Sequence, residues 1–217
     1  MVSISTLQDG SPRKLLCIGC HSDDIEIGCG GAILQLLGRN PNLEFSWMVF
    51  SSGGSDREKE ARKSAELFLQ KAKKKDLMVK DFRDGYFPFE GAKIKDVFEQ
   101  ELKQKAPDIV FTHSRKDAHQ DHRLIAELTW NTFRNHLVLE YEIPKWDGDL
   151  GQPNFFVPLD PAAYENKVSF LMEAFGTQRN KRWFAPETFL GLMRLRGMEC
   201  NAPSGYAEGF YARKLVL

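Results

Sequence analysis

Strand-like and helix-like segments alternate along the first two thirds of the chain, and this alternation constrains the fold more than any other feature. "KLLCIGC" (14–20) is an apolar run of strand length, and "GCGGAILQLLGRN" (28–40) has helical character, ending near Gly38. "LEFSWMVFSS" (43–52) is strand-like, and "SDREKEARKSAELFLQKAKKK" (55–75) predicts a long amphipathic helix with Ser55 or Asp56 as its N-cap. A strand at 77–82, a helix at 92–105, a strand at 107–114, a helix at 121–135 and a strand at 136–143 continue the pattern. Such alternation predicts a parallel sheet with right-handed crossovers and helices on both faces. The expected class is α/β, a Rossmann-like three-layer sandwich with a mostly parallel sheet, as a single domain over 1–217. From Pro144 the alternation breaks: "PKWDGDLGQPNFFVPLDP" holds four prolines and reads as a long loop, of a kind often functional. Helices at 162–175 and 186–200 and a last strand within 206–217 follow, and this part (144–217) is expected to pack on the sheet and shape a substrate pocket.

Composition narrows the function classes. At 217 residues, a hydrophobic share of 42% suffices for a packed core. Lys+Arg and Asp+Glu are both 30, so the chain lacks the basic excess of a general nucleic-acid binder. The start, "MVSISTLQDGSPRK", has no apolar signal core, and no run approaches the ~18 apolar residues of a membrane span. A soluble, cytoplasmic protein without a membrane anchor is expected. Cys17, Cys20 and Cys29 crowd together far from Cys200, which fits free thiols better than a disulfide framework. Cys17 and Cys20 form a C-x-x-C inside a strand pattern with no second pair, so a structural role is expected for them.

Charge is concentrated where the first strand should give way to the first helix. "CIGCHSDDIEIGCGG" (17–31) places His21, Asp23, Asp24 and Glu26 just ahead of a glycine cluster. The glycines do not make a dinucleotide loop, because Ile33 breaks G-x-G-x-x-G and the upstream carboxylates would repel a diphosphate. A helix cap on a polar surface loop would explain one such cluster. A second cluster argues against that: "RKDAHQDHR" (115–123) holds Asp117, His119, Asp121 and His122, with His113 just before it. Three of the five histidines thus fall within ten residues, at the expected carboxyl end of a strand. Open parallel sheets bind ligands beyond such strand ends. A His and an Asp from the first cluster with a His from the second would supply three ligands of a catalytic zinc, leaving one position open. A further carboxylate would be available as general base, and a further histidine for an oxyanion or a leaving amine.

"HSDDIEIGCGG" resembles the H-P-D-D-x-E-x-G-x-G-G motif of the LmbE/PIG-L zinc-dependent de-N-acetylases, and "HQDH" resembles their H-x-D-H motif. "REKEARKSAELF", "FRDGYF" and "PDIVFTH" are similar to that family too, so the likeness covers roughly residues 14–140. The resemblance implies hydrolysis of the N-acetyl group of an N-acetylglucosamine-type amino sugar or its conjugate, with release of acetate and one Zn2+ per chain. It implies His21, Asp24 and His122 as zinc ligands and Asp23 as general base. It implies His119 as oxyanion stabiliser and proton donor, and Asp121 as the carboxylate that orients a histidine. Ser22 stands where the family usually has proline, which should loosen the loop without removing a ligand. Glu26 agrees with the motif and is expected to anchor the loop. Arg57, Asp84 and Tyr86 are candidate substrate-binding residues at the rim. For Trp146, Phe155, Phe156 and Tyr206, packing outweighs stacking on a sugar, and His136 is expected to be structural. Two rival functions remain: a zinc amidase for another N-acyl or thiol-conjugate substrate, and a non-catalytic sugar- or nucleotide-binding α/β protein that would bind no metal tightly.

Overall fold

A computed structural model describes residues 13–215; most of the polar N-terminal start and the last two residues of the expected C-terminal strand lie outside the described residues. Strands β1 (Lys14–Gly19), β2 (Glu44–Ser51), β3 (Lys74–Phe82), β4 (Ile109–His113), β5 (Leu137–Tyr141), β6 (Phe155–Pro158) and β7 (Ala207–Ala212) form one sheet. Their order is β3-β2-β1-β4-β5-β7-β6. The first five are parallel, and β7 runs antiparallel between β5 and β6. The central strands are apolar on both sides because both faces are covered. Leu15 and Cys17 of β1 point into one core with α1 (Asp24–Arg39), α2 (Asp56–Phe68) and α5 (Pro161–Ala174). Leu16 and Ile18 point into the other, with α3 (Gly91–Val97) and α4 (Gln120–Thr132). Helix α6 (Pro186–Glu199) lies against β7. No helix among the described residues is long and apolar enough to cross a membrane.

Several boundaries differ from the sequence expectation. Helix α1 begins at Asp24 rather than Gly28, so Asp24 and Glu26 occupy its first turn, where the helix dipole favours negative charge. Helix α2 ends at Phe68 rather than at residue 75. The lysines expected to end that helix instead open β3, with Lys74 and Lys75 paired to Glu44 and Phe45 of β2. The helix expected over 92–105 starts at Gly91 and passes from α to a π turn (Phe98–Leu102) and a 3-10 turn (Lys103–Lys105). Strand β6 falls within the expected long loop, where flanking prolines hide it from the sequence pattern.

The glycines after the acidic turn serve close packing. A Cβ on Gly28 would come within 2.2 Å of the ring of Tyr141, and one on Gly30 within 2.5 Å of Phe68. Tyr141 in turn donates its hydroxyl to Ile18 O at 2.6 Å, so β5, α1 and β1 are locked at one point. A buried ion pair holds α1 from the other side. Lys167 Nζ donates to Glu208 Oε1 and to Ile27 O, both at 2.6 Å. Glu208 accepts the N–H groups of Gly31 at 2.9 Å and Ala32 at 2.7 Å. Ile27 O and Gly31 N–H, which a regular helix would join, each have a partner in that pair.

Candidate metal centre

The strand order reverses between β1 and β4, and at that point the loops after both strands face one crevice. The β1 loop carries His21, Asp23 and Asp24, and the β4 loop carries Asp117, His119, Asp121 and His122. All of these are buried except His119, which is half-buried. Three atoms converge. His21 Nδ1 lies 3.2 Å from Asp24 Oδ2 and 3.2 Å from His122 Nε2, and His122 Nε2 lies 3.5 Å from Asp24 Oδ2. A tetrahedral ion with bonds of about 2.0–2.1 Å needs ligand atoms about 3.3–3.4 Å apart. The triangle fits that requirement.

Proton placement strengthens the fit. His122 Nδ1 lies 2.9 Å from Asp117 Oδ2, so the ring's proton sits on Nδ1 and Nε2 carries the lone pair. His21 Nε2 faces Asp84 Oδ1 at 2.9 Å and Asp121 Oδ2 at 3.4 Å, which favours the proton on Nε2 and a free Nδ1. In that tautomer three acceptor atoms meet, an arrangement that calls for positive charge, either a second proton on His21 or a bound cation. Titration points the same way. Burial resists charging His21, but Asp24, with Asp121 and Asp84, overrides it and raises its pKa well above the ordinary value. Burial likewise opposes ionisation of Asp24, yet His122, His113 and His21 hold its carboxyl well below the usual range. Burial and the nearby His113 depress His122 to about 4, so it is neutral and ready to coordinate near pH 7.

The remaining candidates surround this triangle. Asp23 Oδ1 accepts from Arg57 Nη2 at 2.8 Å; burial nonetheless raises its pKa against the pull of Arg57. Arg57 Nη1 is also 4.0 Å from Asp84 Oδ2. The bond from His21 is the main cause that lowers Asp84 to about 2. His119 Nδ1 accepts the N–H of Asp121 at 3.3 Å, which leaves its proton on Nε2, and its ring centre lies 4.6 Å from that of His122. The Asp121 carboxylate accepts the N–H groups of Gly85 (2.7 Å) and Phe87 (3.1 Å), so it ties the β3–α3 loop to the start of α4. That loop carries Asp84 and the exposed Tyr86, whose ring lies 3.6 Å from the Arg83 guanidinium. Ser22 and Glu26 are fully buried, and the side-chain oxygens of both lack a hydrogen-bond partner among the described residues. Burial pushes the Glu26 carboxyl well above the usual range, against the pull of the Ser64 hydroxyl beside it.

Two residues in contact with the site carry no assigned role in the sequence reading. Asp117 is the carboxylate against His122 Nδ1, while Asp121, expected to orient a histidine, faces His21 Nε2 instead. Lys145 Nζ then bridges Asp117 Oδ1 at 3.0 Å and Asp149 Oδ2 at 2.7 Å, which buckles the long loop after β5 to the site. The only sequence signal for Asp117 is its membership of the cluster. Lys145 gives none. His113 stacks on His122 with ring centres 3.9 Å apart, while His136 packs against Phe133. Phe155 and Phe156 lie in β6, and Tyr206 stacks on Tyr164 at 4.1 Å, so these three pack as expected. Trp146 does not; it is 70% exposed.

A family model described as PIG-L, GlcNAc-PI de-N-acetylase, matches residues 16–133. The chain belongs to the PIG-L family. Solved structures similar to this PIG-L chain include a conserved protein from Thermus thermophilus, 21% identical with a TM-score of 0.73, covering 94% of this chain and 96% of that one. Another is the N,N'-diacetylchitobiose deacetylase from Pyrococcus horikoshii, 22% identical with a TM-score of 0.70, covering 92% and 83%. A third is the 4-carboxy-2-hydroxymuconate hydratase from Pseudomonas putida, 18% identical with a TM-score of 0.71, covering 94% and 98%. At these identities the likeness is one of fold. No curated protein sequence is close enough to this PIG-L chain to match.

Proposed function

We propose that the protein is a zinc-dependent hydrolase that removes the N-acetyl group from an N-acetylglucosamine-type amino sugar or its conjugate and releases acetate. The observation that carries this reading is the triangle of His21 Nδ1, Asp24 Oδ2 and His122 Nε2, three acceptor atoms at tetrahedral-edge spacing at the sheet's switch point. PIG-L membership supports the reaction class. In this reading His21, Asp24 and His122 hold one Zn2+ per chain. The ion supplies Lewis-acid polarisation of the amide carbonyl and of the attacking water.

The protein's own groups do the rest. Asp23 takes the proton from the attacking water, and Arg57 fixes Oδ1 of that carboxylate. His119 offers its Nε2 proton to the oxygen of the collapsing amide, since the Asp121 N–H holds Nδ1. The proton that Asp23 takes from the water passes to the leaving amine, and His119 keeps its own as a hydrogen-bond donor. Asp121 sets the β3–α3 loop, so that Asp84 and Tyr86 stand at the rim with Arg57 to meet sugar hydroxyls. The long loop after β5 closes another side of the pocket. The free, buried state of all four cysteines suits a cytoplasmic setting.

The test is elemental analysis of the purified protein together with acetate release from N-acetylglucosamine and its disaccharides. About one zinc per chain is expected, absent from His122→Ala. Asp23→Asn should keep the metal and lose about 10²-fold or more in turnover. Near-normal turnover in Asp23→Asn removes the assigned base, and a wild type that takes up no metal overturns the reading.

A further inference from the structure

A second set of ligand atoms lies behind the first. Cys20, Asp24, His113 and His122 each present one such atom, and the four lie within 4.8 Å of one another. All four residues are buried, and Cys20 and His113 have no exposed surface. Asp24 Oδ2 is 3.2 Å from His113 Nε2 and 3.5 Å from His122 Nε2. His113 Nε2 accepts the N–H of Cys20 at 3.0 Å, so this nitrogen carries the lone pair, which that N–H now occupies. Its other nitrogen, Nδ1, is buried without a hydrogen-bond partner among the described residues, so no acceptor among them fixes that side of the ring. The thiols of Cys29 and Cys200 donate to carbonyl oxygens, and Cys20 has no such acceptor among the described residues.

We propose that Cys20 is a thiolate ligand in an alternative inner position for the ion, completed by Asp24, His113 and His122, which takes a soft or borderline dication and shuts the site. This rests on the metal reading above and adds a resting or inhibited state to it. The outer and inner positions share Asp24 Oδ2 and His122 Nε2, so one ion occupies one or the other. On moving inward the ion exchanges His21 for Cys20 and His113. The thiol proton leaves to solvent as the S–metal bond forms, and His113 gives up the Cys20 N–H for the ion. The two positions differ in consequence. The outer one has three protein ligands and an open side toward the crevice, as a catalytic ion requires. The inner one has four protein ligands and no open side, as in a structural site. A thiolate selects Zn2+ or Cd2+ over hard ions such as Mg2+.

The test is a cobalt(II) titration of the metal-free full chain, wild type beside Cys20→Ser, read by absorption. Visible d–d bands report ion binding, and an intense near-ultraviolet thiolate-to-cobalt band reports Cys20. The expected result is the near-ultraviolet band in wild type and its loss in Cys20→Ser with d–d bands retained. Visible bands without the near-ultraviolet band in wild type overturn the thiolate while leaving the metal reading intact, and this outcome does not depend on the variant folding. An unchanged near-ultraviolet band in Cys20→Ser also overturns it. A wild type that shows no cobalt spectrum overturns both.

Discussion

The proton on His122 decides whether its Nε2 can serve as a ligand, and Asp117 decides where that proton sits. Asp117→Asn keeps the shape and loses the charge. Its metal affinity should fall about 10–100-fold by isothermal titration, and an unchanged affinity would remove Asp117 from this role. His122 also predicts a pH effect. Its folded pKa of about 4 lies below the unfolded value of about 6.5, so the unfolded chain takes up its proton first as pH falls. The stabilising difference is therefore complete above about pH 6.5 and is lost as pH falls toward about 4. In the metal-free protein, denaturant melts of wild type minus His122→Asn should show a loss of at most about 3 kcal/mol over that window. A flat difference would show that His122 titrates normally. At this scale the sequence disclosed the members of the site but not their pairings. Asp117 and Asp121 share one cluster, and only the entry into α4 turns one toward His122 and the other toward the β3–α3 loop.

Helix α1 is the element on which the metal loop depends, since Asp24 is its first residue. Its glycines let it lie against Tyr141 and Phe68. Gly28→Ala should cost about 3 kcal/mol or more in chemical denaturation, because the ring it meets is itself fixed by Ile18 O. Lys167→Met leaves Glu208 buried without its cation and Ile27 O without its donor, at a cost of about 3–5 kcal/mol. A loss under about 1 kcal/mol would mean that water replaces the ammonium. The elements that sequence periodicity disclosed were those with long buried faces, such as β1, β2 and β4. Those it missed owe their form to partners distant in sequence. The short strand β6 forms by pairing with β7, which lies beyond two intervening helices. The lysines after α2 join β3 because β2 offers a free edge, which outweighs their own helical preference.

At the scale of the molecule, one architecture accompanies a deacetylase and a hydratase among the similar structures, so the sheet does not choose the reaction. Substrate choice is expected in the loops. Lys145 and Asp149 pinch the turn between them, Gly148 takes a left-handed φ of 62°, and Trp146 is held out to solvent beside the site. Trp146→Ala should raise KM by roughly 2–10-fold for an N-acetylglucosamine disaccharide and leave the free sugar unaffected in steady-state kinetics. Equal changes for both would exclude it from recognition. The two triangle histidines are 101 positions apart in the chain, with β2, β3 and their crossovers wound between them. An ion held there is a clasp on a loop nearly half the protein long. It closes after β1 has found β4, so ion capture during refolding should lag the growth of sheet structure. Chelation should then quicken unfolding while leaving the early folding phase untouched.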